Sequence, residues 1–367
     1  MVHALSFHAD YRCRHSGECC TADWDVPVEV AIYRSLTEAI DAGRLVPIQE
    51  SAFLTEPDLP DGAGAMLDRT PGGDCVFFAR GSNLCVVHRD LGEAALPATC
   101  RHFPRLAVRD GRGTFITLSH FCPTAASMLF RDDVAVEIVE APPAFPPAEY
   151  EGLVVSPDDW PPLLNPRVLM DLDGYSAWER HMVARCADVA MAPEGTVATL
   201  RRDAALLRRW KPGGPTLVDT IAQLPLDSVS AVPPASLAAS LEFYGAAMRA
   251  VPDELKPPPD EAFLPEAFVE RVAPVWPAFS APLNRYLAAK AFASWTAYQG
   301  RGIATIVRGL ECALALVRVE AARQCRDAGR LLDEVLLLEA FRWADFTLNH
   351  LAAADALAET WSHAEMK

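Results

Sequence analysis

Along the second half of the chain, apolar residues return every three or four positions, the spacing of helices with one buried face. Tyr175–Met191, Thr196–Trp210, Pro234–Val251, Glu261–Val272, Leu283–Gln299, Gly302–Ala328 and Arg330–Ala354 carry this pattern. The clearest stripe is Ile303, Ile306, Val307, Leu310, Leu314 and Val317, with Arg308 and Glu311 off it. Pro212-Gly-Gly-Pro215 and Pro257-Pro-Pro259 punctuate the helices.

The first part of the chain reads differently. Val26–Thr37 is expected to form one helix. Leu106–Arg109 and Thr114–Ser119 alternate as short strands around Asp110-Gly111-Arg112-Gly113, a strong hairpin signal. A hairpin centred near Gly111 would set Cys100 opposite Cys122 and His102 opposite His120. A second hairpin is expected from Cys75 to His88, turning at Arg80-Gly-Ser-Asn83 and bringing Cys75 near Cys85 and His88. Eight prolines between residues 142 and 166 disfavour helix and mark a boundary or an extended arm. The expected class is therefore α+β, mostly α. A small, irregular, cysteine-rich domain with short β-hairpins (1–140) would be followed by a proline-rich linker or arm (141–170) and an all-helical domain (171–367).

Charge narrows the partners. Lys plus Arg is 33 and Asp plus Glu is 49, a net −16 that falls as −8 on residues 1–140 and −8 on residues 141–367. Without a basic stripe, nucleic-acid binding by bulk electrostatics is not expected. The four lysines (Lys211, Lys256, Lys290, Lys367) among 33 basic residues read as compositional bias. The opening residues lack a secretory pattern, and Arg308, Glu311 and Arg318 interrupt the longest apolar run, so a cytoplasmic protein without a membrane span is expected.

In a reducing compartment, clustered cysteines point to metal or catalysis in preference to disulfides. Seven of the ten lie in the first 122 residues: Cys13, Cys19, Cys20, Cys75, Cys85, Cys100 and Cys122. Thiolates select zinc and iron–sulfur centres. The adjacent Cys19-Cys20 pair and the two hairpins are cheap ways to gather them. His88, three residues after Cys85, has ligand spacing and completes the expected set. His102 and His120 read as neighbours of the ligands, and His15 lies inside the first cysteine loop. His3, His8, His181, His350 and His363 carry no signal, while Cys186, Cys312 and Cys325 read as small buried side chains on helices. Arg101 and Arg105 flank Cys100 and could offset thiolate charge or bind a carboxylate. No glycine-rich nucleotide loop, phosphate loop or Ser-His-Asp arrangement is visible.

Tyr11-Arg-Cys-Arg-His-Ser-Gly-Glu-Cys-Cys20, followed by Trp24, resembles the opening of the YkgJ-type cysteine-cluster family, whose domain chelates zinc or iron. Leu84-Cys-Val-Val-His-Arg-Asp-Leu-Gly92, Leu96-Pro-Ala-Thr-Cys-Arg-His-Phe-Pro-Arg105 and Phe121-Cys-Pro-Thr-Ala-Ala126 look like segments of its FliB-type flagellin lysine N-methylases. The resemblance covers about residues 10–128. It departs at Ser16, which stands where the family's first motif carries a second cysteine. It implies a metal centre, an iron–sulfur cluster of the 4Fe-4S kind or zinc. It further implies methyl transfer from S-adenosylmethionine to a protein or peptide side chain. The alternative is a non-enzymatic zinc- or iron-binding structural or interaction module.

Overall fold

The computed structural model describes residues 1–22, 24–55, 59–147, 150, 154–155, 162–188, 190–229, 236–256, 261–294, 296 and 302–363. In the N-terminal part, strands β1 (Val2–Leu5), β2 (Pro27–Glu29), β3 (Phe53–Leu54), β4 (Ala63–Leu67), β5 (Phe78–Ala79), β6 (Leu84–Cys85), β7 (Arg105–Asp110), β8 (Gly113–Leu118) and β9 (Ile138–Glu140) alternate with short helices. Those helices are α1 (Glu18–Thr21), α2 (Val30–Asp41), α3 (Val86–Leu91), α4 (Ala98–His102) and α5 (Pro123–Met128). Strands β10 (Val154–Val155), β11 (Leu163–Asn165) and β12 (Val168–Leu169) follow. Beyond them every regular element among the described residues is helical: α6 (Leu172–Cys186), α7 (Pro193–Leu207), α8 (Leu217–Ala222), α9 (Leu237–Arg249), α10 (Leu264–Ala267), α11 (Ser280–Ala291), α12 (Ile303–Ala328), α13 (Glu334–Phe346) and α14 (Ala354–His363). The protein is α+β with a helical C-terminal region.

The helical boundaries follow local chemistry. Asp171 and Asp333 cap α6 and α13 by accepting the N–H groups of Gly174 and Leu336. Proline opens α7 at its first residue. Gly329, at φ 65°, closes α12 in the left-handed conformation. The stripe from Ile303 to Val317 is buried, and α12 lies against α7, α9, α11 and α13 as the hub of the helices. The expected helix Glu261–Val272 is instead the short α10 continued by a π-turn, Phe268–Val272. The helix expected over Arg330–Ala354 is α13 continued by a π-turn, Thr347–Leu351. Parts of three other expected helices, residue 189, residues 234–235 and residues 295 with 297–299, lie outside the described residues.

The main sheet has the order β10-β7-β8-β1-β9, with β1 parallel to β8 and β10 parallel to β7. Side-chain alternation makes it two-faced. The paired Val108 and Phe115 join the helical core, whereas the paired Ala107 and Ile116 face a second cluster with Val2, Ala4 and Phe145. A third cluster lies under the cysteines and includes Val26, Val28, Leu36, Leu67 and Phe77.

Two expectations for this half change. The helix expected over Val26–Thr37 begins only at Val30, because Pro27–Glu29 is taken into a sheet with β4 and β3. Within the 141–170 arm, β10 adds to the main sheet and β11 pairs with β12, while residues 148–149, 151–153 and 156–161 lie outside the described residues.

Candidate metal centre

All seven N-terminal cysteines and His88 line one cavity of about 370 Å3. Five stretches of chain deliver them. Cys19 and Cys20 ride on α1, whose turn is entered through Gly17 at φ 84°. The Phe78 ring of β5 lies where a Gly17 Cβ would stand, 2.6 Å away, so glycine lets this turn dock on the β5–β6 hairpin. The Cys75 N–H donates to Cys20 O at 2.7 Å. Arg69 donates to the carbonyls of Cys20, Gly73 and Trp24, tying the same turn from the other side. Cys85 ends β6 opposite Phe78, and Cys100 lies on α4, whose Ala98 N–H donates to Glu29 Oε1 at 2.9 Å.

The sulfurs fall into two neighbourhoods of this cavity. Cys19 Sγ and Cys20 Sγ are 3.9 Å apart. Cys85 interacts with both, and Cys75 and Cys100 lie within electrostatic reach of Cys19 and Cys85. Cys122 instead meets the Tyr11 hydroxyl at 3.7 Å, with Cys13 the nearby thiol. Cys13 is exposed, takes the His15 N–H at 3.4 Å, and stands at the mouth, where the His15 and His88 rings are 5.6 Å apart. Among the described residues no three His, Cys, Asp or Glu side chains converge as they stand on a point fit for one ion.

The thiols are tuned apart. The Cys20 contact and the N–H groups opening α3 draw Cys85 down to about 7, so its thiolate is accessible near neutrality. The same Cys20 contact lowers Cys19, and its proton-sharing with both neighbours holds Cys20 up. Burial pushes Cys75 to about 11 and also raises Cys100 and Cys122. Arg69 opposes the rise at both Cys75 and Cys100. Arg101 and Arg105 line the cavity too, the Arg105 guanidinium lying 5.6 Å from the Tyr11 and Phe145 ring centres. Sequence reasoning missed Arg69, the cation felt by these thiols, because nothing in the sequence marks it six residues before Cys75; the backbone bridge Arg69↔Cys75 brings it to them.

The β7–β8 hairpin exists, but it does not pair the cysteines. Its register runs Arg105↔Leu118 to Asp110↔Gly113, one residue off a centre at Gly111. Cys100 and Cys122 lie beyond its ends, on α4 and at the N-cap of α5, and face the cavity from those helices. His102 and His120 are not opposite either: the His102 ring lies against Tyr150, while His120 is buried among His8, Tyr286 and Asp345. In the second hairpin, pairing is confined to Phe78↔Cys85 and Ala79↔Leu84, and His88 sits on α3.

A polar cluster behind the cavity also escaped sequence reasoning. Asp345 accepts from the His120 N–H at 2.6 Å and the Tyr286 hydroxyl at 2.8 Å, pairs with Lys290, and lies 3.1 Å from His120 Nδ1. His120 Nε2 lies 3.3 Å from His8 Nε2, and Ser119 Oγ lies 2.8 Å from His350 Nε2. The one usable signal was Lys290, a rare lysine set among alanines on a buried helix. No helix among the described residues is long and apolar enough to cross a membrane. No family model, no curated protein and no solved structure matches this chain.

Proposed function

We propose that the cysteine-lined cavity holds an iron–sulfur cluster of the 4Fe-4S kind, and that the protein is an iron–sulfur-dependent N-methyltransferase using S-adenosylmethionine on a protein or peptide side chain. The observation that carries the metal reading is that thiols from five separated stretches line one cavity. The sulfurs ring this space and do not meet at a point, which suits a centre with several metal atoms better than a single ion. When bound, such a centre supplies a redox-active site with room for a donor's amino and carboxylate groups. The resemblance of residues 10–128 to FliB-type lysine N-methylases supports methyl transfer. Cys19, Cys20, Cys75, Cys85 and Cys100 form the larger group of donors, with Cys13, Cys122 and His88 at the other wall and the mouth. Arg69 offsets thiolate charge, and Arg101 and Arg105 are the wall cations available to a carboxylate.

A closed zinc site in a non-enzymatic structural or interaction module is the second reading. It is favoured by the Cys19–Cys20 separation of 3.9 Å. That is near the edge of about 3.8 Å expected for two thiolates about 2.3 Å from one tetrahedral zinc. Elemental and sulfide analysis of anaerobically purified protein separates the two. Brown protein with iron and acid-labile sulfide, whose spectrum changes on adding S-adenosylmethionine, is the expected result. Colourless protein with stoichiometric zinc overturns the cluster, and an iron–sulfur spectrum indifferent to the donor overturns the methyltransferase. Cys100→Ser is expected to lower metal content and stability together, because ligation and folding are coupled. Cys312→Ser, buried in α12, leaves metal content unchanged.

A further inference from the structure

A second cavity, of about 230 Å3, lies between the β7–β8 hairpin and helices α11, α12 and α14. Its walls are mostly apolar, with Leu106, Val108, Phe292, Ile306 and Leu357 among them. Consecutive residues divide between the two cavities: Arg105 lines the cysteine cavity and Leu106 this one. His350, packed on Trp24 and Phe103 at the cysteine side, directly follows Asn349 on this side.

The polar groups of the second cavity are unequally satisfied. Thr117 donates to Ala289 O, and the Ser294 and Thr296 hydroxyls bond each other at 2.8 Å. Asn349 Nδ2 and Trp361 Nε1 are buried donors without a hydrogen-bond partner among the described residues. Trp361 faces the Cys312 thiol, which does not line the cavity and accepts only weakly. Lys290, third on this wall, has three N–H bonds and uses Asp345 as its ion partner. Asp345 is itself saturated by Tyr286, His120 and Lys290. On this wall Asn349 Nδ2 is left without an acceptor among the described residues. Buried donors without one are costly, so a ligand that supplies it gains from them.

We propose that this cavity binds a small, largely apolar molecule carrying a planar oxygen acceptor, a carboxylate or a carboxamide, with its oxygen directed to Asn349 Nδ2. The inference rests on this cavity alone and stands whether or not the cysteines hold metal. Three probes of one shape test it by calorimetry on the full-length protein: 3-phenylpropanoate, 3-phenylpropanamide and propylbenzene. The expected result is saturable binding of the acid or the amide, with propylbenzene weaker by about tenfold or more, the worth of one buried hydrogen bond. Tighter binding of the acid than of the amide identifies the charged acceptor, and the reverse the neutral one. Asn349→Leu is expected to narrow the gap between the acceptor probe and propylbenzene, and Ala313→Leu, which fills the cavity, to abolish binding. Failure of both acceptor probes to bind at millimolar concentration overturns the proposal, as does propylbenzene binding equally well. An acceptor preference that survives Asn349→Leu unchanged also overturns it, and this variant alone decides if Ala313→Leu does not fold.

Discussion

Gly17 concentrates two demands on one atom that is not there. Its φ of 84° is the left-handed conformation, and its missing Cβ leaves room for the Phe78 ring. Gly17→Ala therefore combines a conformational cost of about 1–2 kcal/mol with overpacking of about 1–3 kcal/mol. Part of that is relieved if Phe78 turns aside. The variant is therefore expected to lose stability, read by denaturant unfolding; and because the turn carries Cys19 and Cys20, the proposed metal centre predicts a loss of metal content alongside, read by metal analysis. The buried histidines act at the same scale. Burial holds His350 down at about 4, with His8 and His120 lowered for the same reason. The unfolded chain, with histidine near 6.5, takes up protons first as pH falls, so the folded state loses stability from about pH 6.5 downward. For His350 alone the loss by pH 4 is on the order of 3 kcal/mol. Urea titrations at stepped pH are expected to show that slope, and His350→Phe to flatten it. An unchanged slope would mean that this ring is not held neutral.

At the scale of elements, the β7–β8 hairpin shows how a local signal can be right and its register wrong. Asp110 pairs directly with Gly113, leaving Gly111 and Arg112 as a two-residue turn. Gly113 is needed because a Cβ there would stand 2.5 Å from Met1 O, where β1 joins β8. The strands and their Asp-Gly turn were legible in the alternation of residues 105–118. The single-residue offset was not, since it depends on β1, more than a hundred residues away. Helices α6, α7, α9 and α11 to α13 were legible for a similar reason, since a 3.6-residue stripe is a local pattern; the six-residue α8 (Leu217–Ala222) is too short to show one, α14 (Ala354–His363) was not expected, and the π-turns after α10 and α13 carry no local signal. The gathering of the seven cysteines was readable from their number. The partition into two neighbourhoods was not, because α4 and α5, not the strands, present Cys100 and Cys122.

Arg112 also ties the hairpin to the helices. It pairs with Asp110 at 2.8 Å and with Glu179 of α6 at 2.9 Å, and its guanidinium lies 4.1 Å from the Phe115 ring centre. Glu179 is nearly inaccessible, and burial already raises its pKa against the pull of Arg112. Arg112→Leu would leave that carboxylate unpaired, and breaking such a buried pair costs about 3–5 kcal/mol. The expected outcome is a large loss in chemical unfolding. Part of it should return in Arg112→Leu combined with Glu179→Gln, which removes the stranded charge.

Across the whole molecule, the cysteine-bearing region and the helices share structure. Leu5, Phe7, Val108, Phe115 and Leu129 lie in the same apolar core as Ile306, Leu310 and Phe341. Polar contacts cross as well. Arg342 of α13 pairs with Glu18 of α1 at 2.6 Å and donates from Nε to Phe121 O at 3.1 Å, beside Cys122. Its third partner is Glu339, one turn earlier on the same helix. One guanidinium thus reaches from the helices to the turn holding Cys19 and Cys20 and to the backbone before Cys122. Such charge-assisted bonds are worth about 1.5–3 kcal/mol where buried; Glu18 is partly exposed, so solvent lowers its share. Arg342→Ala is therefore expected to keep the helices, read by far-UV circular dichroism, while the cysteine region opens more often. Amide hydrogen exchange should rise at residues 18–22 and 119–123, and, on the proposed metal reading, chelator or ferricyanide should strip the centre faster. If exchange rises instead along α13 and α9, Arg342 serves the helical core, and the cysteine cavity is held by its own contacts.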